Sequence, residues 1–163
     1  MNGLNQVRDA VLEALRRAGV AAVPAFEGAA KRYPGAVAAV DVAAGAGKAA
    51  GLGGYLGRRG DAEQGLDREV YGMQLETEIT LSVRAERAAE CETAMETAAQ
   101  TLLRGLPSGL RLEKMSWSGI AWDRTTGMFV REGKAACRAV FLAEDDGGEG
   151  QLLDFILKGT MRR

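Results

Sequence analysis

The sequence predicts an α+β fold: a small, mostly antiparallel sheet with two helices on one of its faces. Three observations predict it. Residues 4–18 and 87–104 repeat apolar side chains every three or four positions, as amphipathic helices do. Residues 71–84 alternate apolar and polar side chains, as a half-buried strand does. The chain has 163 residues, enough for one domain with its own core, and we read residues 1–163 as that single domain.

In the first helix Leu4, Val7, Val11, Ala14, Leu15 and Ala18 form the apolar stripe. Arg16 and Arg17 complement the dipole in its last turn, and Gly19 supplies the stop. Two short extended segments follow, at 20–26 and 36–43. Pro24 makes the first an edge strand or a strand end. Tyr33-Pro34-Gly35 marks a turn between them, and Val37, Val40 and Val42 give the second its strand propensity. Eight glycines then fall between residues 45 and 65. Backbone entropy disfavours a regular element there, so the expectation is a long, mobile loop over about 45–69.

The strand at 71–84 places Met73, Leu75, Thr77, Ile79, Leu81 and Val83 on one face. Its cover is the second helix, whose narrow stripe is Ala88, Cys91, Met95, Ala98 and Leu102, ended by Gly105 and Pro107. Three more strands are expected: residues 110–121, a strand from Lys134 onward with Cys137, Ala139 and Phe141 on one face, and residues 152–158. An acidic loop at 144–150 separates the last two.

Composition excludes several chemistries. The chain has no histidine, which removes histidine-based catalysis, metal ligation and pH switching. Its two cysteines are too few for a disulfide scaffold or a zinc site, and read as reduced, buried, small apolar groups. A net charge of -1 argues against non-specific nucleic-acid binding. Apolar residues make up 47%, but 28 of them are alanines, so the core is built from small side chains. The first residues carry scattered charge and no apolar signal region, and no stretch reaches the ~20 apolar residues of a membrane span. The expectation is a protein made in the cytoplasm, with no membrane partner.

No motif reaches the standard of a catalytic signature. Gly45-Ala46-Gly47-Lys48-Ala49-Ala50-Gly51 invites a phosphate-loop reading. The Walker pattern, however, needs Gly where Val42 stands and Ser or Thr where Ala49 stands. The Rossmann pattern needs two residues between its last glycines, and three separate Gly47 from Gly51. Arg59-Gly60-Asp61 is a tripeptide without weight. Glu76 and Glu78 share a strand face, where a solvated surface or a charged subunit contact outweighs acid–base chemistry. The acidic loop lacks the calcium-binding spacing and reads as a solvated turn or docking patch. Trp117, Trp122, Phe129 and Phe141 read as core or interface anchors. The expectation is no enzyme, no cofactor and no metal.

The order of the pieces resembles the tail terminator, or tail completion, proteins of long-tailed phages, prophages and headless contractile particles. The amphipathic first helix, Tyr33-Pro34-Gly35 before a valine-rich strand, Tyr55-Leu56-Gly57 in the Gly-rich segment and Glu69-Val70-Tyr71-Gly72 opening the long strand carry it. Asp123-Arg124-Thr125-Thr126-Gly127-Met128-Phe129 and Asp154-Phe155-Ile156-Leu157-Lys158-Gly159 complete it. The resemblance implies a small sheet flanked by two helices, a self-associating ring of about six subunits, and a place in a virion or tail-like particle. The ring would cap the tail tube protein, end its polymerisation and face the sheath or the head–tail connector. The departure is the Ala- and Gly-rich stretch at 20–57. We assign Tyr55, Arg58, Arg59, Asp61, Glu69, Glu144, Asp145 and Asp146 as the candidate subunit or tube interface, with the arginines meeting the acidic loop of a neighbour. A head–tail adaptor, the tube protein itself, and a nucleotide-binding protein using residues 45–54 are the competing readings.

Overall fold

The computed structural model describes residues 3–27, 33–61, 66–145 and 155–160. Its elements in chain order are α1 (Gly3–Arg17), β1 (Ala21–Val23), β2 (Val37–Asp61), β3 (Leu66–Ala85), α2 (Ala88–Arg104), β4 (Leu110–Trp117), β5 (Ala121–Asp123), β6 (Met128–Asp145) and β7 (Ile156–Leu157). The fold is α+β, with two helices and a seven-stranded sheet among the described residues.

The sheet runs β1-β2-β3-β6-β4, and β5 and β7 also pair with β6. Among the described strands only the β1–β2 pairing is parallel. The centre is β3, whose hydrophobic alternation fixes its register because a one-residue slip would turn every apolar side chain outward. Ile79, Leu81, Val83 and Ala85 are at most 1% exposed. On β6, Ala135 stands opposite Ile79, and Cys137, Ala139 and Phe141 stand opposite Thr77, Leu75 and Met73; all four are just as buried, so Cys137, Ala139 and Phe141 do share the core face.

Both helices contribute to that core. α1 buries Val7, Val11 and Leu15, and α2 buries Cys91, Met95, Ala98 and Leu102. The small side chains of α2 and β6 let helix and sheet approach closely. α1 ends in a Schellman motif, with Gly19 N–H donating to Arg16 O and Val20 N–H to Leu15 O. Gln6 joins α1 to the end of the described chain: its Nε2 donates to Phe155 O at 2.9 Å, and its Oε1 accepts from Leu157 N–H at 2.9 Å.

The sheet differs from expectation in size. The segment read as a mobile loop over about 45–69 is largely strand: β2 continues to Asp61 and β3 starts at Leu66. The strands extend because β3 supplies a ladder partner from Ala50 back to Val37, and bulges absorb the surplus residues. The largest bulge lies between Ala50 and Tyr55, where Gly54 adopts φ +88°, a conformation open to glycine. At Gly45 a Cβ would stand 2.7 Å from Leu4 Cδ2, so a side chain from α1 fills the space that glycine leaves.

Other boundaries also move. The segment expected at 110–121 divides into β4 and β5 with Ser118–Ile120 between them, and β6 begins six residues before Lys134. β7 is shorter than expected, and residues 152–154 of that expectation lie outside the described residues.

Candidate functional site

One face of the sheet carries the helices, and the other is polar. On the polar face β3 presents Gln74, Glu76, Glu78, Thr80, Ser82 and Arg84. Glu76 and Glu78 do not form a carboxylate pair with a base. Arg138 of β6 lies 3.8 Å from Glu76 and 3.0 Å from Glu113 of β4. At one end of this face Phe26 stacks on the Arg84 guanidinium, 3.9 Å from its carbon to the ring centroid. Among the described residues no Cys, Asp or Glu cluster could hold a metal ion, and no helix is long and apolar enough to cross a membrane.

Of the residues assigned as an interface, Tyr55, Arg58, Arg59, Glu69 and Glu144 lie together at one place. The far ends of β2, β3 and β6 form a three-stranded tip. There Tyr55 pairs with Tyr71, Arg58 with Glu69, and Glu69 with Asp145. The Tyr55 and Tyr71 rings meet edge-on, with centroids 5.6 Å apart. Tyr71 Oη donates to Glu69 Oε2 at 3.3 Å, and Arg58 Nη2 lies 4.0 Å from Glu69 Oε1. Strand alternation puts these on the helix-bearing side of the tip. On the polar side Arg59 Nη1 donates to Glu144 Oε1 at 3.2 Å.

That last pair corrects an expectation. Arg59 and Glu144 do meet, but within one chain, because Glu144 belongs to β6 and not to a free acidic loop. The backbones of Asp61 and Asp145 lie in β2 and β6. Asp146 lies outside the described residues. The arginines remain outward, with Arg58 66% and Arg59 73% exposed, so each guanidinium keeps donors facing solvent. Tyr55 and Leu56 are 39% and 46% exposed. The segment that would have cradled a phosphate is a strand hydrogen-bonded to β3.

The two cysteines are buried and free. Burial pushes the Cys137 thiol up to about 11, helped by the Glu113 charge, and also raises Cys91. Thiols held protonated in this way are poor nucleophiles. Asp123 lies lower than an ordinary carboxyl, first through the Thr125 N–H and then through the Thr126 hydroxyl, which fix the β5–β6 turn.

Two of the residues read as core or interface anchors lie outside the core. Trp117 and Trp122 are 50% and 54% exposed. They pair with Gly133 and Phe129 of β6, two residues on the same face, so both tryptophans look out on the helix-bearing side. Trp122 packs edge-on against Phe129, with centroids 4.9 Å apart. Trp117 borders a groove of about 330 Å³ along α2, with Glu92, Met95, Glu96 and Arg131.

No protein-family model matches the chain, and no curated protein matches it.

Proposed function

We propose that the chain is a structural protein of a phage tail or a tail-like particle. In this reading it forms a ring that caps the tail tube and ends its growth, with a tail-terminator-like arrangement of sheet and helices. The sequence order supports the particle; the sheet supports the ring.

The observation that carries the reading is a pair of unlike open edges. Among the described residues β2 pairs with β1 only at Val37–Ala39, which leaves residues 40–61 with an outer edge that no strand covers. At the opposite margin β4 pairs only with β6. Successive antiparallel steps from β2 through β3 and β6 make β4 run opposite to β2. A head-to-tail contact would therefore set β4 of one copy antiparallel to β2 of the next. A heterologous contact of this kind closes into a ring when its rotation allows, and closure seals edges that would otherwise invite aggregation.

The test is tail length by electron microscopy after deletion of the gene from its source particle. Tubes of uncontrolled length without heads are the expected result. Normal tails on headless particles would instead make the protein a head–tail adaptor, and unaltered particles would remove the reading. The tube protein is the second reading, favoured by the same open edges. It is separated by the purified chain, which as a tube protein would grow into long cylinders.

A further inference from the structure

We propose that the groove beside Trp117 binds a neutral oligosaccharide. Its lining is half-exposed indole on one side and a row of polar groups on the other. The row is Glu92, Glu96 and Gln100, each one helical turn from the next on α2. All three are exposed, and none has a hydrogen-bond or ion-pair partner among the described residues. Arg131 of β6 also lines the groove, oriented by its Nε donating to Ser118 O at 2.9 Å. The lining therefore carries both signs of charge, and this decides the ligand. A cationic segment would meet Arg131, and an anionic one would meet Glu92 and Glu96. A sugar hydroxyl has one donor and two acceptor sites, so it accepts from the guanidinium and donates to the carboxylates. The indole offers a flat apolar face, on which the C–H face of a pyranose ring stacks. The volume of about 330 Å³ is at the small end of ligand sites.

A second tryptophan extends the site. Trp117 pairs with Gly133, and Trp122 pairs with Phe129, four residues away on β6. At ~3.3 Å per residue, the backbones of the two tryptophans stand about 13 Å apart on one face. Arg131 lies midway between their partners on β6. Phe129 packs edge-on against Trp122 and holds its ring in place. The order along the face is an indole, a hydrogen-bonding guanidinium and a second indole. A chain of several sugar rings spans all three, whereas a single ring occupies only the groove. This inference stands on the groove and the two indoles and does not depend on the particle reading.

The experiment is isothermal titration of the full chain, with tryptophan fluorescence read in parallel. The probes are maltotetraose, cellotetraose and chitotetraose, each beside its own monosaccharide. At least one tetrasaccharide binds with a dissociation constant of about 1 mM or tighter, and its monosaccharide binds more weakly. The affinity is the same at low and high salt, because the ligand carries no charge. Trp117→Ala weakens binding of that tetrasaccharide at least about tenfold. Trp122→Ala also weakens it, but leaves the monosaccharide as it was. Thermal unfolding confirms that each variant is folded. No binding by any probe at about 10 mM, or wild-type affinity in folded Trp117→Ala, would overturn the inference. So would a wild-type chain that self-associates in sedimentation velocity and becomes monomeric in Trp117→Ala, because the groove would then be an interface between copies. The gene-deletion experiment has a separate readout, so either proposal can fail alone.

Discussion

The two halves of the sheet are built on different physics. In the helix-covered half, Ile79, Leu81, Val83 and Phe141 are at most 1% exposed, and burial of apolar surface at roughly 25 cal/mol per Å² holds the strands. At the tip the same strands carry half-exposed tyrosine, leucine and arginine. There the backbone ladder and solvent-screened ion pairs, Arg58–Glu69 and Arg59–Glu144 among the described residues, do the holding, and such pairs contribute about 0–1 kcal/mol each. The lesson is that strand continuity does not imply uniform stability. The tip is regular in backbone yet lacks the apolar cover that stabilises the rest.

The contrast can be broken most sharply by Phe141→Ala. It should destabilise the whole domain by about 3–5 kcal/mol in urea unfolding, since it empties a fully buried site. A loss under 1 kcal/mol would mean that the covered half is not the stability core.

The buried thiol gives the next effect. Cys137 is raised from 9.0 to about 11, so its contribution is complete below pH 9 and is lost as the pH rises toward 11. Stability measured by thermal unfolding should fall across that window by on the order of 2 kcal/mol. Cys137→Ala should flatten the decline, and an equally steep fall in that variant would refute the assignment.

Gly54→Ala should act at the tip. Its φ of +88° disfavours any side chain, by about 1–2 kcal/mol. Faster amide exchange should appear in residues 49–61 and 66–73, with exchange in residues 79–85 unchanged. Equal acceleration in both would show the sheet to be one cooperative unit.

The smallest effect belongs to Arg59 and Glu144. A double-mutant cycle with Arg59→Gln and Glu144→Gln should give a coupling of about 0.5 kcal/mol that vanishes in high salt. A coupling above 2 kcal/mol would mean that the tip is held as firmly as the core.

The sequence disclosed the covered half well, because burial leaves a period. The alternation of Met73 to Val83 and the stripes of both helices are direct traces of one apolar face. The tip leaves none. In β2, Gly45 and Gly47 stand at positions whose space Leu4, Met73 and Leu75 occupy from elsewhere, so no local pattern marks a strand. Its partner was already legible as a strand, but the pairing register depends on bulges that a sequence does not print. The candidate residues Tyr55, Arg58, Arg59, Glu69 and Glu144 were legible as a set and do assemble. What the pattern lacked was that β6 runs on to Asp145, which puts Glu144 beside its own chain's arginine. Trp117 and Trp122 read as core or interface anchors, and only packing decides whether they are buried.

The Gln6 amide sets an order of events during synthesis. It sits in α1, ahead of every described strand, yet its partners, Phe155 O and Leu157 N–H, are translated after every other described strand. A nascent chain can form α1 and the β2–β3 hairpin while that amide still bonds to water. The clasp between early and late segments closes only once β7 has emerged, so the finished fold reports on translation having passed residue 157.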